Sequence, residues 1–141
     1  MTKIAKSELG TISRIEEVYE VKRGYGSMDG YKVATDKTEI FVLIDNAQDC
    51  CERWGYITSE DDFSPYIGAE LRQIVLTDTA LNIEYVEKSN RYGFDEGGIQ
   101  FVDFQTSNGV FQLAVYNSHN GYYGHGIVIL IGDDVIHEDV L

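Results

Sequence analysis

The sequence predicts an α+β domain, mainly antiparallel β-sheet, with one or two short helices. Three observations carry this. Runs rich in β-branched and aromatic residues recur along the chain, as in Thr38 to Ile44, Val110 to Tyr116 and Gly126 to Ile131. Fourteen glycines and one proline, Pro65, separate such runs, and most of the glycines fall where turns are wanted. Ser107-Asn108-Gly109 contains an Asn-Gly step, a strong signal for a two-residue hairpin.

Taken in order, residues 11–23 place Ile12, Ile15 and Val18 at helical spacing, but the β-branched content and Tyr19 favour a long edge strand. Gly24 to Gly30 reads as a turn. Tyr31 to Thr35 and Thr38 to Ile44 form a hairpin about Asp36-Lys37. Asp45 to Gln48 then leads into a short helix over 48–55, capped by Asp49 or Asn46, which carries Cys50, Cys51 and Trp54 and stops at Gly55. Residues 58–66 are an acidic loop. Leu71 to Thr77 and Leu81 to Val86 read as strands, and Lys88 to Gly98 as a loop. Ile99 to Thr106, Val110 to Tyr116, Gly126 to Ile131 and Val135 to Glu138 complete the set.

A shift of 71 residues lays Thr35 on Thr106, Ile40 on Phe111, Ile44 on Val115, Asn46 on Asn117 and Gly55 on Gly126. It also lays the Cys50-Cys51 segment over the stretch from His119 to His125. This raises an internal pseudo-repeat, with halves of about 9–66 and 67–131, inside a single domain spanning 1–141.

The two chemically unusual stretches are Asp49-Cys50-Cys51-Glu52 and Asn117 to Gly126, which holds two of the three histidines. Adjacent cysteines make a strained disulfide that closes no useful loop, so thiol, thiolate or metal ligand is the better expectation. Two Cys with two His is a standard ligand set for tetrahedral zinc. His119 and His125 are six apart, but Gly121 and Gly124 allow a loop to turn both rings to one point. Cys50, Cys51, His119 and His125 are therefore the expected ligands of a structural zinc. A site with one cysteine, both histidines and Asp49 or a water stays open, because both sulfurs reach one metal only with a bent backbone. An isolated Cys is more often a small buried hydrophobe, and an isolated His a hydrogen-bonding brace. His137, beside Glu138 and Asp139, reads as a surface residue.

The formal net charge is -13. It is uneven: residues 1–32 carry six bases and five acids, residues 33–141 five bases and nineteen acids. Such a field repels nucleic acid and membrane surfaces and favours a basic protein partner. The acidic set expected to meet it is Glu60, Asp61, Asp62, Asp133, Asp134, Glu138 and Asp139. Ten tyrosines and Trp54 supply aromatic anchors of the kind that carry interface energy, although most are expected to pack the sheet. No apolar run approaches the roughly 20 residues of a membrane span, and the N-terminus lacks the apolar core of a signal peptide, so a soluble cytoplasmic protein is expected.

A small metal-dependent hydrolase is the alternative, with an open metal position and Glu52 as the base that activates water. Neither the His-Glu-x-x-His pattern nor the zinc-deaminase pattern is present.

Leu9-Gly10, Thr35-Asp36, Asp49-Cys50-Cys51 and Ile67-Gly68, followed by the loop with His119 and His125, carry a resemblance across most of residues 9–130. In this order they resemble a family of small uncharacterised phage and bacterial domains. The chain also resembles the acidic anti-CRISPR proteins of streptococcal phages that act on type II RNA-guided nucleases, some of which carry zinc. That resemblance implies a non-enzymatic inhibitor, working in the cytoplasm of the bacterial host, that binds a basic nuclease and interferes with its engagement of DNA.

Overall fold

The computed structural model describes residues 2–4, 9–23, 26–47, 53–78, 96–119 and 125–141, except for the side chains at 2–4, 53, 96–97 and 118–119. Its strands in chain order are β1 (Thr2–Ile4), β2 (Ile12–Arg23), β3 (Gly26–Thr35), β4 (Glu39–Asp45), β5 (Arg53–Thr58), β6 (Leu71–Thr77), β7 (Glu96–Thr106), β8 (Gly109–His119), β9 (Gly126–Ile131) and β10 (Asp134–Val140). They form two antiparallel sheets, β1-β6-β7-β8-β5 and β10-β9-β4-β3-β2. The sheets pack face to face over one apolar core.

Alternation builds that core. Tyr31 and Val33 of β3, Ile40, Val42 and Ile44 of β4, and Ile127, Ile129 and Ile131 of β9 point inward from one sheet. Ile74, Leu76, Val102, Phe104, Phe111, Leu113 and Val115 meet them from the other. Phe104 and Phe111 are cross-strand partners and stack with centroids 4.9 Å apart and planes 3° from parallel. Burying one such side chain stabilises the fold by roughly 1.5–3 kcal/mol, which is why the alternating positions tolerate so few polar residues.

The mainly antiparallel expectation holds, and the helical part of it is corrected. The one helical piece among the described residues is a 3-10 turn at Ser64–Tyr66, with Pro65 in its first turn. The helix expected over 48–55 does not extend to Gly55, because Arg53–Thr58 is strand β5, paired with β8. Residues 48–52 lie outside the described residues. The physical reason is on β8: Gly55 faces Tyr116, and a Cβ there would sit 2.8 Å from the tyrosine hydroxyl. Gly55 therefore makes room for a cross-strand ring rather than ending a helix. At Gly30 the approach is closer still, since a Cβ would fall 2.0 Å from the Val42 carbonyl oxygen.

The turn expected over 24–30 is shorter than predicted, since β3 already begins at Gly26. Likewise β7 begins at Glu96, inside the loop expected over 88–98. The expected strand from Leu81 to Val86 lies outside the described residues. The long edge strand over 11–23, the hairpins about 36–37 and 107–109, and the strands at 71–77 and 126–131 are observed.

Two features of the connectivity matter for function. First, each central hairpin sends its next strand into the other sheet. β4 is followed by β5, which pairs with β8, and β8 is followed by β9, which pairs with β4. Both connections leave from and return to one end of the sandwich, here called the crossover end. Second, the opposite end is stitched. Thr11 N–H donates to Asp36 Oδ1 at 2.8 Å, Leu71 N–H to Gly10 O at 2.9 Å and Glu70 N–H to Ser107 Oγ at 2.9 Å. This ties the tip of the β3–β4 hairpin, through residues 10–11 and 70–71, to the tip of the β7–β8 hairpin. At the hairpin tips Thr35 Oγ1 accepts from Thr38 N–H at 3.0 Å, and Thr106 Oγ1 accepts from Asn108 N–H at 3.0 Å. No helix among the described residues is long and apolar enough to cross a membrane.

Candidate functional site

At the crossover end, β4 finishes at Asp45, β5 starts at Arg53, β8 finishes at His119 and β9 starts at Gly126. Arg53 pairs with Ser118, and His119 with Glu96. The chain on either side of the two unusual stretches is therefore brought to one place. His125, the residue before β9, lies at this junction. It is 2% exposed, its ring stacks on Trp54 of β5 at 5.5 Å and 27°, and Nδ1 donates to the Asp45 carbonyl at 2.7 Å. A carbonyl oxygen only accepts, so Nδ1 carries the proton in this contact. Its backbone extends the β9–β10 ladder by reciprocal bonds with Leu141 at 3.0 and 2.9 Å, and the fully buried Asn117 donates Nδ2–H to the Leu141 carbonyl at 3.0 Å.

The end of β4 is fixed from the other side by a polar network. Asn46 Nδ2 donates to Glu20 Oε1 and to Asp29 Oδ1, each at 3.0 Å, and Glu20 N–H donates to Asp29 Oδ1 at 2.9 Å. Glu20 holds this position with φ of 56° at a bulge in β2, between Val18 and Val21. The Glu20, Asp29 and Asn46 side chains thus anchor the strand that leads toward the cysteines.

Of the expected zinc ligands, His125 lies at the junction and His119 is the last residue of β8. Cys50, Cys51 and the His119 side chain lie outside the described residues. Among the described residues no three His, Cys, Asp or Glu side chains cluster so as to hold a metal ion. His137 departs from its expected place on the surface: its Nε2 is buried, without a hydrogen-bond partner among the described residues. It pairs with Ile129 just after a bulge in β10 and is half-buried.

The seven expected partner-binding carboxylates are split. Glu60, Asp61 and Asp62 follow β5, and Asp133 and Asp134 form the β9–β10 turn, all at the stitched end. Asp36, Glu39 and Glu70 join them there. Two of these acids also build the loop. Glu60 accepts from the Tyr66 hydroxyl at 3.1 Å, and Asp62 Oδ1 accepts from Ser64 Oγ at 2.7 Å and Ser64 N–H at 2.9 Å, which holds its pKa below the ordinary value. Glu138 and Asp139 lie instead on β10 toward the crossover end, where with Arg23, Met28, Gly126 and Val140 they line a cavity of about 600 Å³.

One polar cluster was not anticipated: Glu17 and Tyr19 of β2 with Tyr56 of β5. Two residues apart on a strand, Glu17 and Tyr19 share a face, so the alternation was the available signal. That Tyr56 of β5 reaches Glu17 of β2 was not readable without knowing that β5 joins the other sheet.

A two-sheet antiparallel β domain with an acidic stitched end and a histidine-centred crossover end is the class these observations define. Residues 9–129 match the model of a domain of unknown function, DUF7448, and the chain belongs to that family. No curated protein matches the chain, and neither does any solved structure.

Proposed function

We propose that the chain is an acidic binding protein that takes a basic protein partner on its stitched end, with a structural zinc at the crossover end. The single observation that carries the first part is the gathering of Glu60, Asp61, Asp62, Asp133 and Asp134 with Asp36, Glu39 and Glu70 on one end, where Lys37 and Arg72 are the nearby bases. A rigid carboxylate array of this kind competes for surfaces that otherwise hold phosphates. The sequence resemblance points to a particular partner class, a type II RNA-guided nuclease of the kind phage inhibitors act on. Its guide and target channels are basic, and an acidic protein seated there obstructs DNA engagement.

The test is binding to a guide-loaded type II nuclease, with the nuclease's DNA binding read in parallel. Asp61→Lys/Asp62→Lys and Asp133→Lys/Asp134→Lys should each weaken association by about tenfold or more, and wild-type affinity should fall steeply with salt. Glu138→Lys/Asp139→Lys, at the other end, should change it little. Association that ignores both stitched-end reversals, or no association at low salt, contradicts the proposal.

The zinc ligands in this account are Cys50, Cys51, His119 and His125. Support comes from the convergence of β4, β5, β8 and β9 and from His125, whose Nδ1–H is held by a backbone carbonyl as in metal-bound histidines. The metal would staple two segments distant in sequence, adding its binding free energy to folding. An internal duplication of halves about 9–66 and 67–131 is a further element of the account.

A further inference from the structure

We propose that the flank where the outer strands β2 and β5 of the two sheets meet through their side chains is a binding site for a guanidinium group, built from Glu17, Tyr19 and Tyr56 over Tyr31. β2 and β5 are the outer strands of their sheets, and the Tyr56 hydroxyl reaches across to donate to Glu17 Oε2 at 3.4 Å. The Tyr19 hydroxyl donates to the same oxygen. Beneath them Tyr31, 5% exposed, meets the Tyr56 ring edge-on at 5.1 Å and 84°. The base of the site is therefore fixed in the core while Tyr19, 61% exposed, offers a ring to solvent.

Glu17 is exposed and its charge is not balanced within the described residues. The nearby bases face elsewhere: Arg14 pairs with Glu16, and Lys32 with Glu16 and Glu39, on the opposite face of the sheet. Both phenols address Oε2, and among the described residues no donor reaches Oε1. An open carboxylate oxygen beside an exposed aromatic ring suits a flat cation. A guanidinium donates in plane to the carboxylate while stacking on the ring, and it gives up its hydration more readily than an ammonium does. The net charge of -13 raises the local concentration of such cations. The site is distinct from the stitched end and takes its ligand whatever the identity of the protein that presents the arginine.

Titration with N-acetyl-arginine amide, then with hexa-arginine and hexa-lysine peptides, tests this by calorimetry and by the aromatic carbon resonances of the tyrosines. Hexa-arginine should bind more tightly than hexa-lysine, with saturable shifts centred on Tyr19 and Tyr56. Glu17→Gln and Tyr19→Ala should each weaken it by roughly tenfold, the scale expected of a charge-assisted bond or a cation–π contact. Tyr19→Phe, which keeps the ring, should retain most of the affinity. Asp133→Asn/Asp134→Asn should not disturb the tyrosine shifts. Equal affinity for the two peptides, shifts spread over the acidic surface, or a Glu17→Gln variant no weaker than wild type would overturn the assignment.

Discussion

The ring of His125 stacks on the indole of Trp54 with centroids 5.5 Å apart, joining the residue before β9 to the second residue of β5. These two strands are the ones that change sheets, so the contact sits at the crossover end of the sandwich. In chelator, where only the ring contact is at stake, replacing Trp54 with Ala should cost about 3 kcal/mol, and His125→Ala should cost less. A double-mutant cycle should give a coupling of about 0.5–1.5 kcal/mol from denaturant midpoints. Additive losses would mean that the two rings are neighbours without energetic consequence.

Gly30 and Gly55 should respond differently to the same change. At Gly30 a Cβ meets the Val42 backbone oxygen, which cannot move without breaking the β3–β4 ladder, so Gly30→Ala should largely prevent folding. At Gly55 the obstacle is the Tyr116 side chain. Gly55→Ala should cost about 1–3 kcal/mol, and Tyr116→Ser in the same chain should recover part of that. Circular dichroism and urea titration of the three variants distinguish the cases.

The hairpin hydroxyls invite a matched pair of substitutions. Thr106 Oγ1 donates to Gly109 O at 2.7 Å and Thr35 Oγ1 donates to Leu9 O at 2.6 Å, each while accepting a turn N–H. Thr106→Val and Thr35→Val should each destabilise by about 1–2 kcal/mol. The Thr35 variant should also loosen the stitched end, read as faster amide exchange at Gly10 and Thr11. Unchanged exchange there would separate the two turns from the stitching.

Asp103 gives a pH-dependent prediction. Burial on the sheet raises its pKa, and the hydrogen bond from Gln112 Nε2 at 2.7 Å lowers it in part. A carboxyl whose pKa is higher folded than unfolded favours folding below its unfolded pKa, and that contribution is lost as pH rises through the folded value. Asp103→Asn, which keeps the acceptor for Gln112, should be more stable than wild type at neutral pH, with the difference shrinking below the ordinary carboxylate range. Parallel stability profiles for the two proteins would contradict the direction.

Local patterning made the sheet legible in the sequence. Ser107-Asn108-Gly109, the β-branched, apolar run ending Leu71 to Thr77 and the run from Gly126 to Ile131 each carry their structure in β-forming composition or turn chemistry. The helix through Trp54 and Gly55 was misjudged because a glycine that accommodates a cross-strand tyrosine looks, in sequence, like a helix stop. Which strand lies beside which depends on partners many residues away, so the exchange of β5 and β9 had no local signal. The same limit divided the acidic set: Glu138 and Asp139 are close in sequence to Asp133 and Asp134, but the length of β10 carries them toward the other end. The Cys50-Cys51 stretch and residues 120–124 lie outside the described residues, and what the structure gives is that the flanking strands β4, β5, β8 and β9 end or begin at the same end of the sandwich.

Metal content of protein purified without added metal tests the proposed zinc junction most directly, with wild type beside His125→Ala and Cys51→Ala. The account predicts about one zinc per chain, lost in both variants together with thermal stability, as expected where metal binding is coupled to folding. Metal-free wild-type protein of the same stability as zinc-supplemented protein would contradict it, leaving His125 as a packing partner of Trp54 alone.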